Sequence, residues 1–337
     1  MTDAALDLVP VWTLILGVAV FFYVLLDGFD LGCGILFGLS KDPEHRRLIM
    51  SSIAPVWDGN ETWLVLGGGG LLAAFPLAYA TLLPALYLPV MVMLFGLIFR
   101  GVAFEFRHGA GPRVWLWDLA FAGGSMVATF AQGLVLGAFI TGFTLKNGLV
   151  TGGPFLWLTP FNLTVGICLV GGYALLGATW LIMKTDGLVQ ERAYAQAFTL
   201  AILVAVGMGL ISASTPLTHP EVAARWFVLP NLLLLLPVPI VTAWAWIVLL
   251  RSLANREERR PFLLSLGLFA LGYLGLGVSM WPYLVPRHLT IWDAAAPPTS
   301  QGFLLVGVLF LVPIILAYTA YAYWVFRGKV RGSEGYH

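Results

Sequence analysis

Apolar residues run along this chain in nine windows, each close to the roughly 20 residues needed to cross about 30 Å of hydrocarbon. They cover residues 10–38, 51–75, 78–100, 115–142, 157–183, 194–213, 226–250, 262–284 and 302–326. Each predicts a helix, because a segment in lipid must satisfy its backbone groups internally. The connections LKNGLVTGGP near 150, TPLTHPEV near 218 and WDAAAPPTS near 296 read as turns too short to be domains. Pro84, Pro89, Pro237, Pro239, Pro282 and Pro313 fall inside windows and predict kinks. Most of the Trp residues near window ends, such as Trp115, Trp226 and Trp324, suit an interfacial belt. The expected fold is all-α: a polytopic membrane protein of about nine transmembrane helices, two four-helix bundles plus one extra helix. Residues 1–337 would form one integral membrane domain, with a first bundle over 10–142 and a second bundle plus last helix over 157–326.

The second window breaks the pattern. SSIAPVWDGNETWLVLGGGGLLAAF carries Asp58, Asn60 and Glu61 in its first half. An ionised carboxylate at membrane depth costs at least about 2.5 to 3.5 kcal/mol, so such groups face a protein interior or a water path. Asp58 and Glu61 stand three apart, on one helix face. Gly67 to Gly70 removes side chains from the next turn and lets another backbone or a flat ligand approach. Two readings stay open: protonation chemistry, or a packing element whose acids hydrogen-bond neighbouring helices.

Composition agrees with a membrane protein: 59% of residues are hydrophobic, 10% are charged and the mean hydropathy is +0.89. A formal net charge of +1 gives no electrostatic case for nucleic acid. Cys33 and Cys168 sit in apolar runs without paired spacing, so neither a disulfide framework nor a thiolate metal site is expected. MTDAALDLVP lacks the basic region of a signal peptide, so the first span is expected to be retained. The connections after spans 1, 3, 5 and 7, together with the tail, hold 15 of the 18 Lys and Arg; Lys146, Arg225 and Arg287 lie on the other side. The positive-inside rule then puts the N-terminus outside and the C-terminus in the cytoplasm.

Helix rise gives depth. Asp58 would lie about 10 Å inside the cytoplasmic end of its span, and Asp30 and Asp27 about 12 and 16 Å inside theirs. Asp27 and Asp30 repeat the three-residue spacing, so two adjacent helices could each show a two-acid face. Arg100 and Arg107, with Glu105 between them, offer the nearby positive charge. Four acids against at most two cations are expected to leave at least one carboxyl protonated, as a proton relay needs. Hydrogen bonding in a tight turn of DGFDLGCG is the alternative for Asp27 and Asp30. His45, His108, His219, His288 and His337 all map to loops or ends, so no pair of span histidines is expected to clamp a haem iron. No Walker loop, HExxH or dinucleotide fingerprint occurs.

DGFDLGCGIL (27–36), APVWDGNETWLVLGGGGLLAAFP (54–76) and FRGVAFEFR (99–107) closely resemble subunit II of the bacterial cytochrome bd quinol oxidases. The resemblance spans essentially the whole chain, and TPFNL (159–163) and LLGATWLIMKTDG (175–187) are similar to its cyanide-insensitive branch. It implies a haem-free subunit of a quinol:oxygen oxidoreductase in the bacterial cytoplasmic membrane. The heterodimer partner, subunit I, would carry two b haems, haem d and the quinol-oxidising loop. Asp58 would line a proton path toward those haems, with Glu61, Asp27 and Asp30 as further relay candidates and Arg100 as their charge partner. Quinol and oxygen would be handled by the complex. A structural quinone in this subunit and a small accessory membrane subunit stay open. So do two competing classes: a stand-alone proton-coupled transporter, which two matching repeats with broken helices would favour, and an inert assembly scaffold.

Overall fold

The computed structural model describes residues 7–146 and 149–330. Residues 1–6, Asn147 and Gly148 of the first outer turn, and Arg331 and His337 of the tail lie outside the described residues. The chain folds into helices α1 (Val9–Leu39), α2 (Pro43–Ile53), α3 (Trp57–Ala74), α4 (Pro76–Phe106), α5 (Val114–Thr141), α6 (Pro160–Lys184), α7 (Gly187–Thr218), α8 (Pro220–Phe227), α9 (Asn231–Leu235), α10 (Pro237–Ala254), α11 (Arg260–Met280) and α12 (Pro298–Val325). Of two small antiparallel hairpins, β1 (Thr144–Lys146) with β2 (Leu149–Thr151) occupies the first outer turn, and β3 (Tyr283–Val285) with β4 (Leu289–Thr290) begins inside the eighth window, whose helix ends at Met280.

Among the described residues, eight helices are long and apolar enough to cross a membrane: α1, α4, α5, α6, α7, the α9–α10 segment, α11 and α12. The ninth is α3, whose 18 residues reach about 27 Å but whose first turns are polar. It packs among the others all the same. α1, α3, α4 and α5 touch in a closed ring, and α6, α7, α10 and α11 form a second ring. α12 packs on α3, outside both rings. This is an all-α membrane fold of two four-helix bundles and one peripheral helix.

The bundles meet where α1 crosses α6. A Cβ on Gly32 would overlap the Tyr173 carbonyl, and one on Gly177 would overlap the Gly32 backbone, so only glycine permits this approach. DGFDLGCG, with a tight turn as the alternative reading, is uninterrupted helix as its window predicts; Gly28 and Gly32 serve this crossing and Gly34 packs against Ser125 of α5.

Three expectations about elements are corrected. The second window does not run from 51: Pro55 has no N–H to offer the Ser51 carbonyl, α2 ends at Ile53, and α3 begins only at Trp57. Asp58 therefore lies in the first turn of α3 and not two turns inside a span. The seventh window is broken into α8, α9 and α10 around Pro230 and Pro237. Pro282 lies beyond the end of α11 and kinks nothing, whereas Pro84, Pro89 and Pro313 are inside helices and are joined there by Pro216 of α7.

α12 is tied at both ends although its most apolar stretch is not buried within the chain. Ala296 N donates to Ala74 O at 2.9 Å, and the Trp12 indole to Gln301 O at 3.2 Å. At the other end Lys184 donates to the Phe326 and Gly328 carbonyls, and Lys329 bridges Asp186 and Glu258 at 2.7 and 2.6 Å. Hydrogen bonds from Lys329 and Gln190 hold the Glu258 carboxyl below its ordinary range.

Candidate functional site

The first bundle encloses a polar cluster centred on Arg100. α1 presents Tyr23, Asp27 and Asp30 at spacings of four and three, which is one helix face. α4 brings Arg100 against it. Arg100 Nη1 donates to Asp27 Oδ1 at 2.6 Å, and Nη2 donates to Glu61 of α3. Arg100 and Asp27 are fully buried, and the Glu61 side chain is 25% exposed. The guanidinium carbon lies 5.8 Å from the Trp57 ring, which stacks flat on Phe104 with centroids 4.6 Å apart.

Two arms extend from this centre. Asn60 Nδ2 donates to Asp30 Oδ2 at 2.6 Å, and its Oδ1 accepts from the Tyr323 hydroxyl of α12 at 3.0 Å. On the other side Gln132 Nε2 of α5 donates to the Tyr23 hydroxyl at 2.5 Å, and the Tyr173 hydroxyl of α6 donates to Gln132 Oε1 at 2.9 Å. The cluster thus links α1, α3, α4, α5, α6 and α12. One guanidinium pairs with two of the three carboxyls, Asp27 and Glu61, and Asp27 Oδ2 and Asp30 Oδ1 are buried without a hydrogen-bond partner.

Asp27, Asp30, Glu61 and Arg100 therefore come together. Asp58 does not join them: it is exposed in the first turn of α3, one turn before Glu61. It heads an exposed stripe through Thr62, Val65, Gly69 and Leu72. The second cation expected at this layer is also elsewhere. Arg107 pairs with Asp118 at 2.6 Å, Arg46 pairs with the same carboxylate at 2.8 Å, and Glu105 is exposed.

Sequence reasoning passed over Tyr23, Gln132, Tyr173, Tyr323 and Asp118. Tyr23 was within reach, being four residues before Asp27, and Gln132 is an isolated amide in an apolar window. Tyr323, near the end of its window, resembles any interfacial aromatic, whereas Tyr173 is a mid-window hydroxyl that could have been singled out. His45 lies in α2, His108 just beyond α4, His219 between α7 and α8, and His288 between β3 and β4. These positions do not fit an axial pair for a haem within either bundle. Among the described residues no group of three or more His, Cys, Asp or Glu is placed to hold a metal ion.

Residues 8–326 match the family model described as cytochrome bd terminal oxidase subunit II. The chain belongs to this family. Within it, the chain is 31% identical to the cytochrome bd-I ubiquinol oxidase subunit 2 of Escherichia coli K12, over 96% of this chain and 95% of that one. It is 25% identical to the cytochrome bd ubiquinol oxidase subunit 2 of Bacillus subtilis, over 96% and 97%. A chain in the structure of the bd oxidase from Geobacillus thermodenitrificans superposes with a TM-score of 0.80 over 95% of this chain and 99% of that chain. At 21% identity that match speaks for the fold alone. Subunit II membership and the two-ring fold thus agree.

Proposed function

We propose that this chain is the haem-free subunit of a quinol:oxygen oxidoreductase in the bacterial cytoplasmic membrane, paired with a haem-bearing subunit I that carries two b haems and haem d. Its part is to wall that partner and to pass protons from the cytoplasmic side. The observation that carries the proton role is the Arg100 cluster: one guanidinium among three carboxyls, closed on most sides, with Glu61 as its partly exposed member. Asp58, one turn away on the outer stripe of α3, is the entry group. The exposed stripe that Asp58 heads, through Thr62, Val65, Gly69 and Leu72, is the face of α3 left open to a partner. A proton taken up at Asp58 would pass to Glu61, and Arg100, bonded to both Glu61 and Asp27, would hold the two acceptors in register.

The transporter reading is weaker on this geometry. The two interrupted windows fall in the second helix of the first ring and the third helix of the second, so they are not matching broken repeats. The experiment for the proposal is purification of the tagged chain from its native membrane with a redox difference spectrum. A stoichiometric b- and d-type haem spectrum with a second large subunit is expected, and colourless protein when the chain is expressed alone. A haem spectrum from the isolated chain, or a native preparation without haem, would contradict it.

A further inference from the structure

Asn60 has both ends of its amide engaged. Its Nδ2 donates to Asp30 Oδ2 at 2.6 Å and, more loosely, to Leu26 O at 3.4 Å, while its Oδ1 accepts from the Tyr323 hydroxyl at 3.0 Å. The partners fix which way such an amide points. An ionised Asp30 can only accept, so it needs the NH2 end; an Asp30 protonated on Oδ2 can donate, and a half-turn of the same amide brings an acceptor, its oxygen, to that position. A phenol hydroxyl suits both orientations because it donates and accepts. Leu26 O suits only the first.

We propose that Asn60 and Tyr323 form an amide-flip switch that lets Asp30 take up and release a proton while both ends of the Asn60 amide stay paired. The proposal rests on the proton-path reading above and extends it to α12. With Asp30 ionised, Tyr323 O–H donates to Asn60 Oδ1 and Asn60 N–H to the carboxylate. With Asp30 protonated, its O–H donates to Asn60 Oδ1 and Asn60 N–H donates to the Tyr323 oxygen. One proton arrives at Asp30 and one later leaves; the amide and the phenol exchange hydrogen-bond direction and transfer no proton. The proton is carried on Asp30 Oδ2, the oxygen that faces the Asn60 amide, while Oδ1, which has no hydrogen-bond partner, stays the carbonyl oxygen. The titratable and charged groups facing Asp30 are Asp27 and Cys33 on α1, Glu61 on α3, Arg100 on α4 and Tyr323 on α12. Tyr323 is a positioning residue. Its ring is held edge-on to Phe29 and Trp180, with centroids 6.5 and 6.3 Å away, so phenylalanine keeps the packing and deletes only the hydroxyl.

The test uses the assembled oxidase complex. In Tyr323→Phe, haem content should match the wild type, and quinol-driven oxygen uptake per haem should fall about fivefold, the factor that one net hydrogen bond supplies. The infrared carboxyl band that Asp30→Asn removes should shift in Tyr323→Phe. Unchanged turnover with an unmoved band overturns the switch, whatever Asp58→Asn does. A shifted band in Tyr323→Phe beside full activity in Asp58→Asn keeps the switch and removes Asp58 as the entry. The wild-type complex gives a reading that needs no variant: with isotope-labelled asparagine, a side-chain amide band must change in the same pH step as the Asp30 carboxyl band. A carboxyl step with an unchanged amide, or no Asp30 band at all, overturns the proposal.

Discussion

Arg100 is the residue on which the first bundle turns. Its pairing with Asp27 is fully buried, and removing one member of such a pair leaves an uncompensated charge that costs about 3–5 kcal/mol. Arg100→Leu should therefore lower the thermal stability of the complex sharply, and Asp27→Asn should do so less, since Glu61 still accepts from the guanidinium. The double variant Arg100→Leu with Asp27→Asn should be more stable than Arg100→Leu alone, because the stranded carboxylate is gone. Strictly additive losses in the melting curves would show that the two groups do not act as a pair. Much of this centre was legible in the sequence: acids three apart in apolar windows can only face inward or into a partner, and Asp27, Asp30 and Glu61 do lie together. Asp58 was misplaced because Pro55, a backbone feature inside an apolar run, moves the start of the helix by about two turns. Arg107 was misassigned because Asp118, its partner, went unweighed.

At the scale of elements, glycine plays two different parts. Gly32 and Gly177 lie where α1 and α6 touch backbone to backbone, whereas Gly68 and Gly69 of α3 have nothing of this chain within 4 Å of an added Cβ. Gly32→Leu should abolish accumulation of the subunit by forcing the bundles apart. Gly69→Ala should leave the chain's own fold intact and weaken retention of the haem-bearing partner, because Gly69 lies on the exposed stripe with Asp58. Yields of the subunit and of bound haem after detergent extraction separate the two effects, and equal loss of both in Gly69→Ala would deny the stripe an interface role. The long spanning helices were readable from apolar run length alone, whereas the short, largely polar α2 was not. The breaks around Pro230 and Pro237 and the two hairpins were not, because a proline inside an apolar run reads equally as a kink or as an end.

For the whole molecule, the two rings and the peripheral α12 leave the termini on opposite sides if α3 crosses the membrane. On the charge split among connections we propose that the C-terminus lies in the cytoplasm. Reporter fusions after Gly328 should report cytoplasm and fusions near Gly152 the outside; the same side for both would mean that α3 does not cross. In that proposed orientation Asp58 and the Arg100 cluster would lie toward the cytoplasm, the side from which the proposed path would take its protons. The most direct measurement is quinol-driven oxygen uptake per assembled haem in Asp58→Asn and Asp58→Glu. Asparagine keeps the shape and hydrogen bonding of the side chain but carries no exchangeable carboxyl proton. Proton-transfer groups contribute on the order of 100- to 10,000-fold. Turnover in Asp58→Asn should fall toward that range with haem content unchanged, and Asp58→Glu should recover part of it. Near-normal turnover in Asp58→Asn at full haem occupancy would contradict the account and leave Asp58 a structural residue.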